Sequence, residues 1–212
     1  MTSTARFPAQ AAICNSKTKR QVDSQMTFQP QIKKYEEYSY VLDFMPRARS
    51  KIVHNREGFI VQALGEEYLT LLELLAFNNA QFAQEEKVYI GKDRRDKVIS
   101  VLGKLNYEDL TQGAKNELPL VIEALVRDGE QKYVSYFNNL QPITPRLHAL
   151  ELIPGIGKTL TVEILDARDR KPFESFADIQ ARVGLKEPAK QIAKRVYDEL
   201  TGQTRINIFI RK

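Results

Sequence analysis

Tryptophan is absent from this 212-residue chain, cysteine occurs once and histidine twice. The lone thiol, Cys14, has no intrachain partner, which excludes a disulfide framework and any cysteine-based zinc site. His54 and His148 lie far apart without a ligand spacing, so no metal centre is expected. Long apolar runs are missing too. No window approaches the roughly 18 residues a membrane helix needs, and no signal-peptide stretch follows the N-terminus. The expectation is a cytoplasmic protein with no membrane partner. Clustered acids suited to a two-metal nuclease are lacking, and no cofactor motif is present.

What the chain has is 42% apolar residues, a mean hydropathy of -0.41 and a net charge of +5. The charge is uneven. Residues 1–34 carry six Lys/Arg against one acid, residues 35–91 five against nine, residues 92–141 eight against eight, and residues 142–212 thirteen against nine. A basic excess at both ends suits a chain whose ends approach a polyanion.

Residues 1–34 are rich in Ser, Thr, Gln and Lys without periodicity, and a disordered basic tail is expected there. A translation start at Met26 would place much of that tail outside the native protein. From Tyr35 the pattern turns to period two, with Tyr38, Tyr40, Leu42 and Phe44 on one face. A loop, MPRARSKIVHNREG, leads to FIVQAL, YLTLLELLAF and KVYIG. These four strands predict a small antiparallel barrel of the OB (oligonucleotide-binding) type over residues 35–91. Residues 92–141 read as a helical connection, beginning with DRRDKVISVLGKL. Residues 142–212 read as a helix-hairpin-helix domain. Its first helix opens at Thr144-Pro145 and reaches Leu150, and its second runs from Lys158 to Arg168. Ser175 and Asp178 suggest a capping box for a third, and Glu187–Leu200 a fourth. The end, TRINIFIRK, alternates like a strand. The fold class is α+β, a barrel followed by a mostly helical domain.

The sharpest local signal is Leu152-Ile153-Pro154-Gly155-Ile156-Gly157-Lys158. Two glycines one residue apart permit positive φ and leave the amides bare, and the following helix start adds about half a positive charge. Gly155, Ile156, Gly157, Lys158 and Thr159 are therefore expected to hold a phosphate, against the plainer reading of a tight turn. Thr161 stands where alanine is usual. Gly157-Lys158-Thr159 imitates a Walker A ending, but Leu152 occupies the required first glycine and no strand precedes it. A glycosylase would need a catalytic aspartate, and Asp166 and Asp169 read as surface residues. No catalytic residue is assigned. Val183-Gly184-Leu185 resembles a degenerate second hairpin, with Lys186 and Lys190 as further candidate phosphate contacts or simply a solvated helix start. In the barrel, Arg47, Arg49, Lys51 and Arg56 form the one basic concentration of an acidic stretch. Phe59, Tyr68 and Tyr89 are stacking candidates, each individually better explained as core.

The segments EEYSYVLDF, ALGEEYLTLLE, EKVYIGK, ITPRLHALELIPGIGKTL, PFESFADI and RINIFIR, in this order, resemble the archaeal family of domain of unknown function 655, described as predicted RNA-binding proteins. The resemblance covers residues 35–212. It implies an OB-like domain joined to a helix-hairpin-helix domain, with ribosomal or RNA-processing partners, and it transfers no catalytic residue. The leading expectation is a non-enzymatic RNA-binding protein that grips phosphates with little regard to sequence. The alternatives are a DNA-binding repair or replication accessory and a protein-interaction module. Phosphate contacts are blind to the sugar.

Overall fold

The computed structural model describes residues 35–210. The expected disordered tail, Cys14 and Met26 lie outside the described residues. The described chain is a mixed α+β body whose curled antiparallel sheet forms a half-barrel, accompanied by five α-helices. The sheet comprises β1 (Tyr38–Arg49), β2 (Glu57–Gly65), β3 (Leu71–Ala76), β4 (Lys87–Tyr89) and β5 (Val98–Lys104), in the order β4-β1-β2-β3-β5.

Both sheet faces are apolar, which is why β2 and β3 read as nearly continuous hydrophobic runs. Val41, Val61, Ala63, Leu72, Leu74 and Val98 fill the concave side with Val88 and Ile90. Tyr40, Leu42, Leu64 and Leu71 face the helices. A bulge between Val41 and Asp43 breaks the expected common face of Tyr38, Tyr40, Leu42 and Phe44. One extra residue reverses side-chain parity, so Phe44 joins Phe59 and Phe82 on the concave side. Two loop and helix expectations are also corrected. β1 continues through Arg49 and β2 resumes at Glu57, so the long loop shrinks to residues 50–56, closed by Ser50 N–H donating to the Arg56 carbonyl at 2.8 Å. The stretch from Asp93 to Leu105 is not helical but contains β5. Leu72, Leu74 and Ala76 pair with Lys104, Val101 and Val98, which are three apart because β5 is twice bulged. Val98, Val101, Leu102 and Leu105 stand at helical spacing in the sequence and counterfeit a helical stripe.

Thr111 caps α1 (Gln112–Asp128), accepting from Ala114 N–H at 3.0 Å. Ala114, Leu118, Val121, Ile122 and Leu125 form its buried stripe, which meets β1 and α5. α2 (Glu130–Asn139) follows. Where a helix was expected from Pro145, the chain instead forms a ribbon of β6 (Pro142–Thr144) and β7 (Leu147–His148), then a 3-10 turn over Ala149–Leu152. Pro145, between the paired Thr144 and Leu147, takes the second position of a β-turn. His148 then caps the 3-10 turn, its Nδ1 accepting from Leu150 N–H at 3.1 Å. α3 (Lys158–Arg170), α4 (Phe176–Val183) and α5 (Pro188–Leu200) complete the helices. Ser175 caps α4 through Asp178 N–H at 3.0 Å, as its capping pattern implies.

The terminal segment forms no strand. The buried Glu199 carboxylate accepts from the amides of Ile208, Phe209 and Ile210 at 2.8, 3.0 and 3.0 Å. Arg195 pairs with Glu199 at 2.9 Å and donates to the Ile206 carbonyl. With its amides satisfied this way, the segment has no need of a sheet edge.

Candidate nucleic-acid interface

The turn before α3 rests on Ile153 and Ile156, both buried, with Ile156 N–H donating to the Ile153 carbonyl at 3.1 Å. Gly155 has a φ of 81°, a conformation that strains any residue bearing a Cβ. Gly157 does not share it. Its φ of -98° and ψ of -178° are extended backbone open to every residue, so positive φ is needed at Gly155 alone. Packing does not require glycine there either, since a Cβ at 157 would meet nothing within 4 Å. Gly157 is the N-cap of α3, and no side chain caps that helix start. Gly155, Gly157, Lys158 and Thr159 are exposed, while Ile156 only anchors the turn from below. The first-turn N–H groups and the positive end of the helix dipole thus face solvent uncovered. The buried Thr161 donates its hydroxyl to the Gly157 carbonyl at 3.0 Å, which accounts for a residue larger than alanine.

Gln191 of α5 lies beside this turn, 3.6 Å from where a Gly155 Cβ would sit, and makes no side-chain hydrogen bond among the described residues. Lys194, one turn on, is exposed and also unpaired there. Sequence reasoning missed Gln191, because only the tertiary packing of α5 brings it to the turn. The second turn differs from the first. Gly184 has a φ of 70° and Leu185 is buried, but Glu187, at a φ of 49°, holds the N-cap position of α5 without a side-chain cap, where the first turn has bare glycine. Its carboxylate holds Lys190 and raises that ammonium's pKa. Of the two candidate lysines, Lys186 alone is unpaired among the described residues.

Three arginines counted in the basic C-terminal segment are structural. Arg168 donates to the carbonyls of Phe137 and Leu140 at 3.0 and 2.9 Å. Arg182 donates to the Ala167 and Lys171 carbonyls at 2.5 and 2.8 Å, and Arg195 is buried against Glu199. Asp166 and Asp169 are exposed on α3.

On the sheet, Arg47 and Arg49 lie on β1 and Arg56 in the shortened loop. Arg49 pairs with Glu57, and Lys51 donates to the Asp109 carbonyl at 2.6 Å. Arg47 and Arg56 are exposed and unpaired among the described residues. An open groove of about 850 Å³ is lined by Pro46, Arg47, Arg49, Glu57, Gly58 and Asn78. The stacking candidates fare less well. Phe59 is buried in the concave core, Tyr68 is half-buried, and Tyr89 packs edge-on to Tyr38 with centroids 5.3 Å apart. Among the described residues no group of three or more His, Cys, Asp or Glu is placed to hold a metal, and no helix is long and apolar enough to cross a membrane.

The comparisons with known proteins agree with a mixed α+β body of this architecture. The chain belongs to the family described as protein of unknown function (DUF655), whose profile matches residues 35–211. The uncharacterized protein MJ0038 of Methanocaldococcus jannaschii is 41% identical over 181 residues, covering 84% of this chain and 82% of that protein. The crystal structure of Af1531 from Archaeoglobus fulgidus, of the same family, superposes with a TM-score of 0.73 at 43% identity. It covers 83% of this chain and 100% of its own.

Proposed function

We propose that this protein is a non-enzymatic, cytoplasmic RNA-binding protein that holds the phosphate backbone through a helix-hairpin-helix turn at Ile153–Lys158, in ribosome or RNA maturation. The observation that carries the reading is Gly157. Neither its backbone angles nor its surroundings call for glycine, yet its bare amide face opens onto solvent at a helix start. A backbone phosphate supplies the anion such a site lacks. Lys158 stands in the first turn, where a cation opposes the dipole and a bound phosphate reverses the penalty.

The sheet order β4-β1-β2-β3-β5 supports an OB-like reading of the half-barrel, a five-stranded Greek-key ring opened between β4 and β5. Side chains span that seam: Arg95 donates to the carbonyls of Gly91 and Ile99 at 2.7 and 3.2 Å, and Lys97 pairs with Glu86. The preference for RNA over DNA rests on the family resemblance.

The test is Lys158→Glu, which leaves an anion where the dipole favours one. Folding survives by circular dichroism, while anisotropy titrations at matched salt show weaker binding and a salt slope reduced by roughly 0.7–0.9. Unchanged binding of RNA and DNA would reduce the hairpin to a turn. Parallel titrations with RNA and DNA of one sequence decide the sugar.

A further inference from the structure

The groove at the barrel rim has an aromatic neighbour that the strand pattern concealed. Phe77 follows the last residue of β3, and its side chain is 40% exposed. It opens a turn closed by Ala80 N–H donating to the Phe77 carbonyl at 3.0 Å, which leaves Asn78 and Asn79 exposed at the tip. Asn78 lines the groove, and neither asparagine amide is hydrogen-bonded among the described residues. Gly58 lines it as well. A Cβ there would come within 2.9 Å of Leu75 Cδ1, so the strand position stays without a side chain. The pairing of Phe59 with Ala76 ends the β2–β3 register, so Phe77 lies just past the strand, between that pair and Asn78 of the lining. Arg47 supplies an unpaired cation on the same rim.

We infer that this groove binds unpaired nucleotides of a single-stranded nucleic acid. Phe77 stacks on a base, the Asn78 amide meets a base edge, and Arg47 takes the adjoining phosphate. A free guanidinium, a free amide and an exposed ring are the chemistry that recognises a splayed nucleotide, whereas a duplex hides its base faces. The inference rests on the nucleic-acid reading of the hairpin but uses different residues, so the two fail separately.

The experiment uses the full chain, an oligouridylate of roughly ten nucleotides, within the span of one small barrel, and an RNA duplex of equal length. Phe77→Ala is expected to weaken oligouridylate binding about tenfold, the usual effect of losing one stacked base, with duplex binding unchanged. Because the protein has no tryptophan, Phe77→Trp supplies a single reporter, and its emission is quenched by the oligouridylate but not by the duplex. Parent-like binding by Phe77→Ala, or an unquenched Phe77→Trp, overturns the inference. If Lys158→Glu weakens binding while Phe77→Ala does not, the groove fails and the hairpin stands. The reverse result removes the hairpin and keeps the groove, and a parent that binds neither probe removes both.

Discussion

Gly155 and Gly157 look interchangeable in sequence, yet alanine at the two positions has different consequences. At Gly155 the left-handed backbone makes a Cβ cost roughly 1–2 kcal/mol, read as a lower urea midpoint. At Gly157 the extended backbone accepts alanine. A gain of about 0.4–1 kcal/mol from a stiffer unfolded chain offsets a weaker N-cap, and the stability stays within about 0.5 kcal/mol of the parent. RNA affinity falls in Gly157→Ala regardless, since the methyl stands before the bare amides. A loss of stability without a loss of affinity at Gly157 would count against the site. The turn between residues 153 and 158 was legible because its glycine spacing is local. What was not legible is which charges remain available: Arg168, Arg182 and Arg195 hold backbone carbonyls and a buried acid, and only tertiary structure reveals it. Arg168→Ala is therefore expected to destabilise by roughly 1.5–3 kcal/mol, the range for hydrogen bonds to a charged group. It should leave the salt dependence of binding as it was, and a reduced salt slope would place Arg168 at the interface instead.

Elements were read correctly where capping and periodicity agree. α4 and α5 each follow an apolar stripe within the expected bounds, and Gly184 ends α4 in the left-handed conformation typical of such stops. The misread elements share a cause, because each depends on a distant partner. β5 exists through the edge of β3, the terminal segment is held by Glu199, and the ribbon before the hairpin places His148 as a cap. Burial, and then the nearby Arg168 cation, hold the His148 imidazole below its ordinary pKa. A histidine depressed in the fold binds its proton more readily when unfolded. Its contribution is intact above the unfolded value of about 6.5 and declines as pH falls through that value toward the folded one. Urea midpoints at pH 7.5 and 5.5 should show this loss in the parent and a smaller one in His148→Asn, which keeps a cap acceptor for Leu150 N–H. An identical loss in both would assign the acid sensitivity to other groups.

At the scale of the molecule, the division into residues 35–91, 92–141 and 142–212 meets a core that crosses every boundary. Tyr40, Leu42, Leu64 and Leu71 of the sheet share one buried cluster with Leu118, Ile122 and Phe137 of the central helices, and with Ile164, Ile192 and Val196 of the last segment. Tyr40 donates its hydroxyl to Asp128 at 2.8 Å, and Thr111 N–H donates to the buried Gln62 at 2.9 Å. Composition and charge could mark the segments but not this continuity, because helix-facing residues of a strand look like any other buried residue. Residues 35–91 by themselves lack β5, leaving the β3 edge unpaired and the apolar convex face uncovered. That fragment is expected to be unfolded or aggregated. The body from residue 35 onward should instead unfold in one transition, with far-ultraviolet circular dichroism reporting helices and tyrosine fluorescence reporting the sheet and its contacts at the same urea midpoint. Two separated midpoints, or a cooperatively folded 35–91 fragment, would show that the sheet and helices are independent. Coincident midpoints would make the rim groove and the hairpin parts of one cooperative unit, so that a substitution melting either element removes both sites together.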